Sequence, residues 1–118
     1  MYYKVGEDMY DKSQLMRGTL EGAILKILSD NTTYGYEIVM KLEKYGFEGI
    51  KEGTIYPLLV RLEKKGIINS KFRPSPLGPS RKYYSITKEG IAYLEEFREH
   101  WLQVSASLNE IFKVEDRD

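Results

Sequence analysis

Between residues 13 and 29, SQLMRGTLEGAILKILS, the apolar side chains Met16, Leu20, Ala23, Ile24, Ile27 and Leu28 fall at offsets 0, 4, 7, 8, 11 and 12. That is one stripe of an amphipathic helix, and it predicts a first helix of about 15 residues. Asp30-Asn31-Thr32-Thr33 then gathers short side chains that bond nearby backbone, ending that helix and capping the next. In 34 to 46, Gly35, Ile38, Leu42 and Tyr45 follow spacings of 3, 4 and 3, a second short helix that Gly46 closes. In 52 to 65, Ile55, Leu58, Leu59 and Leu62 face inward and leave Thr54, Tyr56, Arg61, Lys64 and Lys65 outside. This third helix carries a cationic outer face. Pro57 is comfortable only in a first turn, where its missing N–H loses no partner, so the helix starts near Gly53 or Thr54, or is bent.

Gly66 ends the third helix, and the pattern then changes period. Ile67 to Arg73 reads as a strand, and Arg81-Lys82-Tyr83-Tyr84-Ser85-Ile86 as a second, with Tyr84 and Ile86 on one face and Tyr83 and Ser85 on the other. Between them Pro74-Ser75-Pro76-Leu77-Gly78-Pro79-Ser80 is too broken for regular structure, so the expectation is a hairpin with a protruding tip flanked by Arg73, Arg81 and Lys82. After Thr87, a good N-cap, residues 88 to 113 hold no Pro and only Gly90 near the start, which predicts one helix of about 25 residues.

The resulting class is mostly α with a minor β part: a winged helix-turn-helix over residues 13 to 87, a long C-terminal dimerisation helix over 88 to 113, an N-terminal arm over 1 to 12 and a tail over 114 to 118. The chain has 118 residues, enough for one core and too few for two. With no Cys there is neither a disulfide framework nor a thiolate metal site. A single His, His100, removes Cys-His catalysis and multi-His metal sites, so no enzyme, cofactor or metal is expected. The acidic run Glu95, Glu96 and Glu99 reads as a solvated helix face. No apolar run reaches the roughly 20 residues of a membrane span and no leader pattern opens the chain, so the expected address is cytoplasmic.

Net charge is zero, which at first argues against nucleic acid. The distribution of charge argues the other way. Residues 51 to 90 hold nine Lys or Arg against three acids, whereas the rest of the chain holds nine against fifteen. A helix fits the B-form major groove and a basic loop can straddle the adjacent backbone. The polarised pattern therefore places Thr54, Tyr56 and Arg61 for base or phosphate contact, and Lys64, Lys65, Lys71, Arg73, Arg81 and Lys82 for phosphate.

Four stretches carry a resemblance to a known family over nearly the full length. They are Tyr34-Gly35-Tyr36-Glu37-Ile38; Gly53-Thr54-Ile55-Tyr56-Pro57-Leu58-Leu59 with Arg61-Leu62-Glu63-Lys64-Lys65-Gly66-Ile67-Ile68; Arg81-Lys82-Tyr83-Tyr84; and Ser85-Ile86-Thr87-Lys88-Glu89-Gly90. In that order they resemble the PadR family of transcriptional regulators. The resemblance implies a homodimer on a palindromic operator in double-stranded DNA, usually as a repressor, with the helix from Gly53-Thr54 as reader, the segment around Arg81 as wing, and Tyr36 touching backbone phosphate.

Along the last helix Leu94, Phe97, Trp101, Val104, Leu108 and Ile111 follow spacings of 3, 4, 3, 4 and 3. Such a heptad seam, about 25 Å long, packs either on this chain's own core or on a partner helix; with the first helix committed to the winged domain, pairing between subunits is favoured. Phe97 and Trp101 either fill that seam or, as the resemblance to a multidrug-binding PadR subgroup with a short C-terminal helix implies, line a dimer-interface pocket that takes a small flat aromatic effector. The competing class is a winged-helix protein-interaction or RNA-binding module with no sequence-specific DNA readout. Residues 1 to 12 read either as an arm on the partner subunit or as a frayed terminus.

Overall fold

The computed structural model describes residues 9–116, and their side chains as far as Lys113. Most of the expected arm and the end of the expected tail lie outside the described residues. The elements run α1 (Lys12–Arg17), α2 (Leu20–Asp30), β1 (Thr33–Tyr34), α3 (Gly35–Lys44), α4 (Glu52–Lys64), β2 (Ile68–Ser75), β3 (Gly78–Ile86) and α5 (Lys88–Asp116). The class is the expected one, a helical body with a β wing and a long last helix.

Three elements depart from expectation. The single first helix is two. Thr19 turns its hydroxyl back onto the Met16 carbonyl at 2.8 Å while its own N–H takes the same oxygen at 2.9 Å, so the chain breaks at Gly18-Thr19 and restarts as α2. No residue of α1 is buried, whereas α2 buries Leu20, Ile24, Leu25, Ile27 and Leu28. Second, Thr33–Tyr34, expected inside the second helix and its cap, is a strand whose partners are Tyr84 and Tyr83. The two-stranded wing is thus a three-stranded antiparallel sheet, ordered β1-β3-β2.

Third, the Pro-rich tip is regular. Strand β2 runs through Pro74 and β3 through Pro79, and Ser75 pairs with Gly78 across a turn of Pro76 and Leu77. Both prolines sit where no ladder donor is needed: β2 is an edge strand with its register shifted between Arg73 and Ser75, and β1 pairs only with Tyr83 and Tyr84, so β3 is itself unflanked near the tip.

The core joins α2, α3, α4 and the sheet through Leu20, Ile24, Leu25, Ile38, Leu42, Ile55, Leu59, Leu62, Ile68 and Tyr84. Helices α3 and α4 end alike. Gly46 (φ 99) and Gly66 (φ 75) take the left-handed conformation that glycine adopts without strain, and Phe47 N–H reaches Leu42 O at 2.9 Å and Ile67 N–H reaches Leu62 O at 3.0 Å, closing the orphan carbonyls. Helix α4 begins at Glu52, so Pro57 lies beyond its first turn. Lys51 occupies the N-cap with no side-chain bond. Thr87 caps α5 as expected: its hydroxyl accepts from Gly90 N–H at 3.0 Å and donates to the Gly66 and Ile67 carbonyls, which pins α5 to the end of α4.

Candidate nucleic acid interface

With Ile55, Leu59 and Leu62 turned into the core, the opposite ridge of α4 is Gly53, Pro57, Val60 and Lys64, all exposed and spaced 4, 3 and 4. Charge along the chain singles out only Lys64 among these four. Gly53, Pro57 and Val60 carry no charge and escape that criterion, although the complement of the core spacing finds them. On one flank of the ridge Tyr56 lays its ring against Gly35, whose missing side chain makes the room. Burial, with Glu52 nearby, pushes the Tyr56 hydroxyl above its ordinary pKa, so it is a neutral donor at physiological pH. On the other flank Thr54 is exposed above a hollow shared with α1, Glu48 and Gly49.

Arg61 stands apart from that ridge. Expected to face outward as a reader, it places Nη2 2.9 Å from Glu21 Oε2 of α2, and the same carboxylate accepts from the Tyr93 hydroxyl of α5 at 2.7 Å. Part-burial pushes the Glu21 carboxyl up, but the Tyr93 and Arg61 hydrogen bonds outweigh that and hold it below its ordinary value. Lys65 lies over the Tyr93 ring, 5.9 Å from its centroid, leaving Lys64 as the α4 cation on the outer ridge.

The wing cations are ordered by aromatic rings. Arg73 lies 4.5 Å from the Tyr83 ring centroid and Arg81 4.5 Å from that of Tyr34, and the two rings meet edge to face at 5.3 Å. The result is an Arg-Tyr-Tyr-Arg stack across β1, β3 and β2. Register puts Lys71 opposite Tyr83 on that face, while Phe72 pairs with Lys82 on the face toward α4. Lys82 is shared between the Tyr84 ring at 5.7 Å and Glu63 at 3.7 Å. Leu77, at the tip, is 99% exposed.

Tyr34, Gly35, Tyr36, Tyr56, Ser80, Arg81 and Lys82 line one shallow hollow at the start of α3. Tyr34 gives no side-chain cap bond there, so the start of α3 lies uncapped by a side chain at a hollow lined also by Arg81, Lys82 and the exposed Tyr36. Aligned N–H groups with an Arg and a Lys beside them form a place for a phosphate oxygen.

On the far side of the molecule α5 crosses α2. Leu94 packs on the core and the Phe97 ring occupies the space over Gly22, so these two members of the expected seam are engaged within their own chain. The stripe divides there because the first turns of α5 lie on α2 and the remainder runs past it. Trp101 (50% exposed), Val104, Leu108 and Ile111 continue as an open apolar stripe, with Leu102 and Phe112 beside it. A groove of about 870 Å³ between α2 and α5 is lined by Gly22, Ala23, Phe47, Leu94, Phe97 and Trp101. Among the described residues no helix is long and apolar enough to cross a membrane.

Comparison with known proteins places this architecture. The profile of the transcriptional regulator PadR-like family matches residues 24–96. A PadR-like transcriptional regulator from Bacillus cereus is 47% identical, its structure covering 84% of this chain and 96% of its own with a TM-score of 0.76. A PadR family transcription regulator from Clostridium difficile is 34% identical, over 80% of this chain and 98% of its own, with a TM-score of 0.72. A transcriptional regulator of Mycobacterium tuberculosis is 33% identical over 85 residues, 72% of this chain and 78% of its own.

Proposed function

The chain belongs to the PadR-like family of transcriptional regulators, and from that premise we propose that it is a homodimeric repressor that reads a palindromic operator with α4. One observation carries the reading: the exposed ridge of α4 lies beside the hollow where the open first turn of α3 meets Arg81 and Lys82. A duplex seated there would offer its major groove to Gly53, Pro57, Val60, Lys64 and Tyr56, and a backbone phosphate to α3. Glycine and proline allow close approach of backbone, Val60 suits a thymine methyl, and Lys64, Lys71 and Arg73 supply sequence-independent attraction. Thr54 contributes from the flank.

The open stripe from Trp101 to Ile111 is assigned to the subunit joint, and the α2–α5 groove to a small flat aromatic effector stacked by Phe97 and Trp101, with membership of the multidrug-binding subgroup following from such a ligand. An effector there lowers operator affinity only by preferring one setting of α5 over another.

The decisive experiment selects from a random duplex pool at moderate salt, then titrates the preferred sequence against a scrambled control. A palindrome bound by two subunits is the expected result. Equal binding of all duplexes would leave a winged module that reads no sequence, and binding of none would turn attention to an RNA or protein partner.

A further inference from the structure

Glu21 joins two elements with different tasks. One carboxylate oxygen accepts from Arg61 of α4 and the other from Tyr93 of α5, at 2.9 and 2.7 Å. Its chain neighbour Gly22 is the seat of the Phe97 ring, and Phe97 is one helical turn beyond Tyr93. A side chain that steadies an arginine on the reading helix and a wall of the apolar groove are therefore adjacent on α2 and adjacent again on α5.

We propose that Glu21 and Tyr93 are positioning residues that tie the setting of Arg61 on α4 to the seating of Phe97 in the α2–α5 groove. The inference rests on the reading of α4 as the DNA-contacting helix. A shift of α5 by about 1 Å takes a 2.7 Å O···O contact beyond hydrogen-bond length, so the link is either made or broken. With Tyr93 withdrawn, Glu21 is oriented by Arg61 alone. The carboxylate then holds the half-exposed guanidinium more tightly, whereas with Tyr93 in place its charge is shared and the guanidinium exchanges it for a phosphate more readily. Coupling of this kind is reciprocal: a duplex that draws Arg61 away from Glu21 must also reset α5. Trp101, the single Trp of the chain, lies one further turn along α5 in the groove, so its emission reports that resetting without a label.

The test titrates the preferred duplex into the full-length wild type, Tyr93→Phe and Glu21→Gln, recording anisotropy of a labelled duplex and Trp101 emission together. Tyr93→Phe removes one hydroxyl, and Glu21→Gln keeps the shape while removing the charge. The expected result is a wild-type emission change that saturates with the duplex, and its loss in both variants although both still bind and keep the wild-type circular dichroism. A wild type that binds with no emission change overturns the proposal, as do variants that keep the full response. Absence of any preferred duplex for the wild type would show in anisotropy alone; that outcome removes the DNA reading, and this inference with it.

Discussion

Residue identity matters here through partners more than through charge. Arg61 and Arg81 look equivalent along the chain, yet one is held by Glu21 and the other lies on Tyr34 beside the open turn of α3. Arg81 is accordingly the better placed of the two for the proposed phosphate contact. Arg81→Ala should weaken every duplex alike and lower the slope of log affinity against log salt by about 1, and a loss confined to the preferred sequence would refute its placement on phosphate. The ion pair that sets Arg61 apart links residues 21 and 61, and no local pattern announces a partner so distant. The same holds for the wing, where alternation reveals which face Tyr83 and Tyr84 occupy but not that Tyr34 completes the stack.

At the level of elements, periodicity locates α3, α4 and α5, because each carries one continuous apolar stripe, buried in α3 and α4 and open beyond Phe97 in α5. It fails where a polar side chain or a neighbouring strand decides the matter. The Thr19 hydroxyl splits the first helix, and pairing with β3 draws Thr33 and Tyr34 out of the second. Proline content misleads at the wing tip, since edge positions tolerate residues that a central strand would reject. The join between α4 and α5 is the least forgiving element contact. A Cβ at Gly90 would collide with the Ile67 carbonyl oxygen, which Thr87 already binds through both its hydroxyl and its N–H. Gly90→Ala should cost about 1 to 3 kcal/mol, seen as a lower urea midpoint at unchanged slope. An unchanged midpoint would mean that α5 can slide at its root.

Over the whole molecule, the chain spans 59 × 35 × 21 Å, and the long dimension reflects α5, about 44 Å of helix by its 29 residues. The heptad spacing of α5 is legible in the sequence. Where its intrachain half stops and its open half begins is not, because that boundary is set by where α5 crosses α2, with Phe97 over Gly22. The open half predicts the assembly. Trp101→Glu places a charge at the head of the open stripe and should give monomers in sedimentation with the winged domain still folded by circular dichroism. An intact dimer would move the joint elsewhere. Because α4 and the open half of α5 are separate elements, damage to them would be inherited differently. If subunits join through α5 as proposed, a copy impaired in α4 but sound in α5 would still pair with intact copies and disable them, so its allele would be dominant over wild type; a copy impaired in α5 would stay alone, and its allele would be recessive.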